Sequence, residues 1–201
     1  MSLKSAPMGG GAHAEMTIKQ RFGEWLCGRL PITRFLFDLF RIEVAAMLTD
    51  FGNTTLPWRR LRLRALRKGR DLRVNVACGA TVLPGFVNID LFPHSSDVVA
   101  WNCRRSLPLA HDSALGIRVE HFVEHLEPRE ELPAFLKACF QVLGSGGVLR
   151  VIVPDAERYL RAYCRDDLSG FQELAVPDPF PEDLPTRMDI IAYVFHPWLS
   201  T

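Results

Sequence analysis

The spacing of apolar positions changes partway along the chain, and the change divides it. From Glu15 to Gly52 the pattern is helical, interrupted near Pro31. Phe35, Leu36, Leu39, Phe40, Ile42, Val44, Met47 and Leu48 give a broad apolar face, while Arg34, Asp38, Arg41 and Glu43 keep other parts wet. Gly52-Asn53 reads as the stop of this helical stretch. A basic segment follows, with Leu61, Leu63 and Leu66 interleaved among arginines. Beyond it, short β-rich runs take over: Leu72 to Ala77, Phe86 to Asp90, Asp97 to Trp101 and, more weakly, Leu115 to Val119. Helical spacing returns between Pro128 and Leu143, in Leu132, Phe135, Leu136, Cys139, Phe140 and Leu143. Gly144-Ser145-Gly146-Gly147 breaks it, and Val148 to Val153 is the clearest strand. A further helix after Asp155 carries Tyr159, Leu160 and Tyr163, and Val176 to Pro185 reads as a loop.

Apolar runs separated by loops and a good helix predict an α/β fold built on a mostly parallel sheet with covered faces. The chain then divides into a disordered tail (1–14), a helical extension with a basic segment (15–70) and one α/β domain (71–201). Composition changes little in this picture. The chain of 201 residues is 48% hydrophobic and 23% charged, as expected of a globular protein. The formal charge of +1 argues against a surface devoted to nucleic acid. Charge is concentrated, however: Arg59 to Arg73 holds seven Arg and one Lys against the single acid Asp71. That segment reads first as a solvated helix face, and second as a contact for phosphates or an anionic membrane. Five cysteines without a C-x-x-C pair point to a reducing, cytoplasmic setting and away from a disulfide framework. No apolar run is long enough to span a bilayer.

In open parallel sheets, ligands bind beyond the carboxyl ends of the strands. Ala77-Cys78-Gly79 stands where the first strand must turn, and small residues there let backbone approach a ligand. Asp90 ends the second run, where a carboxylate can accept hydrogen bonds from both hydroxyls of a ribose. Strand-Gly-strand-Asp is a weak signal alone.

The order of four segments is more specific: LRVNVACGATVLPGFVNID, DVVAWNCRRSLPL, VEHFVEHLEP and LGSGGVLRVIVPD. Together, from Leu72 to Asp155, they resemble class I S-adenosylmethionine-dependent methyltransferases, nearest to the methyltransferase-11-like branch. The resemblance implies a three-layer Rossmann-like methyltransferase fold preceded by the helical extension, with S-adenosylmethionine as cofactor. It implies that Ala77, Cys78 and Gly79 wrap the amino-acid end of the cofactor, that Asp90 holds the ribose and that Leu91 lies beside the adenine. Asn102 stands where relatives place an Asp facing the adenine amino group. Glu120 and His121 border the transfer cavity, and Gly146-Gly147 turn into the fifth strand. The acceptor is expected to be a small molecule or glycan-type compound, with His121 the best-placed base for a hydroxyl.

Three features depart from the family pattern. Ala77 replaces its first glycine, Asn102 replaces an acid, and ten residues between Gly79 and Asp90 leave little room for a helix after the first strand. The two closing strands of the fold are not legible before Thr201, so a shortened chain or a different closure is expected, with association through an exposed sheet edge as one consequence. A catalytically degenerate binding or scaffold module is therefore the alternative. His121-x-x-Glu124-His125 also fits an inverted zinc-hydrolase pattern, but that pattern needs a long helix and Pro128 follows closely. A dinucleotide-dependent oxidoreductase would need G-x-G-x-x-G where Ala77, Gly79 and Val82 stand. Cys78, in a tight turn without a base, reads as a space-filling residue and not a nucleophile.

Overall fold

The structure is a computed structural model and describes residues 34–164 together with Arg29, Met188 and Ile191. Strands β1 (Leu72–Val76), β2 (Val87–Asp90), β3 (Val98–Ala100), β4 (Ala114–Glu120) and β5 (Leu143–Ile152) form one parallel sheet, in the order β3-β2-β1-β4-β5. The helices are α1 (Arg34–Thr55), α2 (Pro57–Lys68), α3 (Glu131–Val142) and α4 (Ala156–Cys164). This is the helix-flanked parallel α/β sheet that the pattern predicts.

Alternation along the strands decides which face is the core. Val74 aligns with Val87 and Ile117, and Val76 with Ile89 and Val119, so branched side chains from neighbouring strands share one face. Leu63 of α2 and Phe135, Ala138, Cys139 and Val142 of α3 belong to the same buried cluster. The α3 positions recur at the three- and four-residue spacing of one helix face. The Phe135 ring meets Phe122 edge-on, with centroids 5.3 Å apart.

The opposite face is polar along one register row. Asn88, Asn75, Arg118 and Arg150 align across β2, β1, β4 and β5. Residues 77–86 contain no helix, so this loop must satisfy its backbone groups in another way. The row supplies the partners. Asn88 accepts from Leu83 N at 3.0 Å and donates to Leu83 O (3.1 Å) and Phe86 O (3.2 Å). Asn75 donates to Thr81 O (2.8 Å) and to Asn88 Oδ1 (3.0 Å).

Several boundaries differ from expectation, two of them for a clear steric or pairing reason. Helix α1 does not stop at Gly52-Asn53 but runs to Thr55. Proline sets the break: Pro57 pushes Leu56 out of helical geometry, to φ −80° and ψ 119°, and α2 begins at the proline itself. Asn53 is buried, donating to Ala100 O at 3.0 Å, while Arg62 donates to Val98 O at 3.3 Å. Both carbonyls lie on edge strand β3, which is thus kept from pairing with another strand.

Strand β5 begins five residues earlier than expected, because Leu143 already pairs with Ala114. The ladder resumes only at Gly116 and Val148, so Gly144 to Gly147 form an irregular turn inside the strand. Gly146 has φ +75°, and a Cβ on Gly147 would meet Gly144 O at 2.9 Å. The turning role expected of Gly146-Gly147 therefore has a steric basis. The tail (1–14), the helical stretch before residue 34 apart from Arg29, the loop at 176–185 and any closing strands lie outside the described residues. Among the described residues, no helix is long and apolar enough to cross a membrane.

Candidate functional site at the carboxyl ends of the strands

The chain runs from β1 outward through β2 to β3, then returns to β4 on the other side of β1. The carboxyl ends of β1 and β4 therefore flank the topological switch point, where an open sheet leaves a crevice. Val76 aligns with Val119, so Ala77 and Glu120 follow on adjacent strands, about 5 Å apart across the sheet. Both strands leave by a left-handed residue that is not glycine, Ala77 at φ +51° and His121 at φ +51°. Strained residues of this kind gather at ligand sites. Gly79 is also left-handed (φ +49°), and nothing lies within 4 Å of where its Cβ would be.

Asp90 ties the next strand end to this turn. Its Oδ2 accepts from Gly79 N at 2.9 Å and its Oδ1 from Phe92 N at 2.8 Å. Each oxygen keeps a lone pair, so the carboxylate can still accept from a vicinal diol. Cys78 N donates to Ile89 O (3.1 Å) and Trp101 N to Asp90 O (3.0 Å), which brings the ends of β1, β2 and β3 into one rim. Ala77, Cys78, Gly79, Asp90, Leu91 and Asn102 all belong to it. The Cys78 thiol is buried, and burial followed by the nearby Asp90 charge pushes its pKa up to about 11. It is a neutral packing group, as its place in the turn suggested. Burial raises the Cys103 thiol as well, with Asp90 again adding to the effect.

Asn102 is placed at the rim but is already engaged. Its Oδ1 accepts from Arg104 N and from Arg104 Nε, both at 3.2 Å. The amide Nδ2, a donor, is what remains to face a ligand. Arg104 reaches on to Glu43 of α1 (2.5 Å) and to Glu131 (3.4 Å).

Across the crevice, Glu120 pairs with Arg118, whose Nη1 also donates to Asn75 Oδ1 at 3.2 Å. His121 Nδ1 lies 3.2 Å from Glu124 Oε1, while Glu124 Oε2 is buried without a protein partner. Residues Val123–His125 form a single 3-10 turn and not an α-helix. The four-residue helical spacing that a His121/His125 metal pair would use is therefore not formed. Among the described residues, no group of three or more His, Cys, Asp or Glu is placed to hold a metal ion.

No family model matches the chain, and neither the curated proteins nor the solved structures give a match. The site therefore rests on its own geometry.

Four residues to which the sequence assigned no role shape this site: Asn75, Asn88, Arg118 and Arg104. The first two were legible only as polar letters inside apolar strands, a signal that marks either an exposed face or a pinned loop. Arg104 carries no sequence signal, because Glu43 is far away along the chain.

Proposed function

We propose that this chain is an S-adenosylmethionine-dependent methyltransferase of the class I type, acting on a small-molecule or glycan-type acceptor. The observation that carries the reading is the Asp90 carboxylate, bonded to Gly79 N beside the switch point of the β3-β2-β1-β4-β5 sheet. A short acidic side chain on the strand next to a small-residue turn suits a nucleoside diol. Bound there, the cofactor would supply a methyl carbon activated by its sulfonium. The chain's own residues then bind and orient. The Ala77-Cys78-Gly79 backbone would hold the amino-acid end, Asp90 would accept from the ribose hydroxyls and Leu91 would border the base. Glu120 and His121 border the acceptor, which they hold at attacking distance. For a hydroxyl acceptor, Nε2 of His121 takes the proton while Glu124 holds the ring through Nδ1.

Isothermal titration with S-adenosylmethionine and S-adenosylhomocysteine, with NAD as control, tests the reading. Binding of the first two, weakened about tenfold to a hundredfold by Asp90→Ala, is the expected outcome. Because Asp90 also holds Gly79 and Phe92, the variant is compared at equal folded fraction by thermal unfolding.

One observation favours a second reading, a binding or scaffold module without catalysis. Asn102 has its oxygen engaged by Arg104, which leaves only a donor for an adenine amino group that is itself a donor. A folded, monodisperse chain that binds neither sulfonium nor thioether ligand would favour that module.

A further inference from the structure

Helix α1 has a buried side of small and polar residues and an exposed apolar side. Ala46, Thr49 and Asn53 face the body of the protein and are buried. Phe40, Met47 and Phe51 recur at seven- and four-residue steps on another side, each about two-thirds exposed (66%, 70% and 66%). Trp58 and Leu61 of α2 are exposed to the same degree. Such a concentration of large apolar groups in water marks an interaction surface.

The charges of α2 have one sign. From Phe51 to Arg70 there are six Arg and one Lys and no acid. Among the described residues, the guanidinium groups of Arg60, Arg64 and Arg67 have no hydrogen-bond or ion-pair partner. On α1, the half-exposed Glu43 bonds to Arg104, and the charge of the exposed Asp50 acts on the same guanidinium. A cleft of about 210 Å³ between α2 and edge strand β3 is lined by Trp58, Arg59, Arg62, Asn53 and Ser95, with no carboxylate.

We propose that the outer side of α1 together with α2 docks on an anionic membrane surface. This goes beyond the methyltransferase reading and stands independently of it. Aromatic and aliphatic side chains beside unpaired arginines are what an interfacial helix needs, and Trp58 suits the headgroup level. The cleft beside it fits an anionic lipid headgroup. A second copy of the chain would bring arginines against arginines, and residues 15–33 carry Lys19, Arg21 and Arg29 against only Glu15 and Glu24. Neither complements the charge; residues 165–201, with seven acids against Arg165 and Arg187, would complement it, and their occupancy of this side is the outcome in which the chain binds neither vesicle. RNA would complement it but would leave the apolar side of α1 in water.

The test is flotation of the full chain with vesicles of phosphatidylcholine alone or mixed with phosphatidylserine. Binding to the mixed vesicles only, falling with salt, is expected. Arg60→Ala, Arg64→Ala and Arg67→Ala should each weaken partition about fivefold. The variant Phe40→Ser, Met47→Ser, Phe51→Ser should lose most of it with an unchanged melting temperature, because these side chains are already exposed. Equal binding to both vesicles, or none, overturns the proposal. So does a stable dimer that the serine variant disperses, or tight RNA binding that this variant leaves intact.

Discussion

At the scale of single residues, the rim is defined by backbone and burial more than by reactive groups. Ala77 occupies the left-handed region, where a Cβ is opposed by the following carbonyl. Ala77→Gly should relieve this and, after the extra entropy of glycine in the unfolded chain, stabilise the protein by about 0.5–1 kcal/mol in urea unfolding. The sequence marked Ala77 as a replacement for the family's first glycine, and the dihedral locates the difficulty in the backbone. The thiols give a second check. Cys78, Cys103 and Cys139 are buried and Cys164 is exposed. In a Cys27→Ser background, a thiol reagent at neutral pH should label Cys164 alone until the protein unfolds. Cys78 also predicts a pH dependence. Its folded pKa, about 11, lies above the ordinary 9.0, so the unfolded chain releases the proton first. The stabilising contribution is full below pH 9 and is lost as pH rises toward 11, with burial the main cause. Denaturant midpoints should fall across that window in the native chain and fall less in Cys78→Ala.

At the scale of elements, two faces of one sheet obey different physics. On the apolar face, Phe135 is fully buried while Phe140 of the same helix is 80% exposed. Phe135→Ala should cost about 3–5 kcal/mol and Phe140→Ala less than about 0.5 kcal/mol by chemical denaturation. Periodicity alone had put both residues on one α3 stripe. Only the packing against Phe122 and the strands separates them. On the polar face, Asn88 carries the loop that replaces a helix after β1. Asn88→Ala strands Leu83 N and Phe86 O and takes one of two donors from Leu83 O, and should destabilise by about 2–3 kcal/mol while loosening the rim. Protease cleavage within 77–86 should rise in this variant. The short Gly79-to-Asp90 spacing made the missing helix legible. What stands in its place was not, because asparagine in a strand has no meaning until its partners are known.

At the scale of the whole molecule, the site and the α1–α2 surface meet through Arg104. This residue follows β3, holds Asn102 at the rim and bonds Glu43 on α1. The Arg104 hydrogen bond, opposed by partial burial, keeps the Glu43 carboxyl below its ordinary value of 4.5. Its contribution is therefore present above that value and fades as pH falls through the lowered one. Arg104→Ala should raise amide exchange across residues 34–55 while the amides of β1 and β4 stay protected, and acidification of the native chain should reproduce the change. The sequence by itself determined the alternation of strand and helix, the small-residue turn after β1, the Asp that closes β2 and the glycine break that β5 contains. These are local matters of period, steric freedom and side-chain chemistry, readable one segment at a time. The tertiary structure alone decided the strand order, and with it the switch point that places Ala77 beside Glu120. It also decided that Asn75 and Asn88 pin a loop, that Arg104 occupies the Asn102 oxygen, and that α1 keeps an apolar side in water. Each of these depends on contacts between residues distant along the chain, and neither period nor composition encodes such contacts.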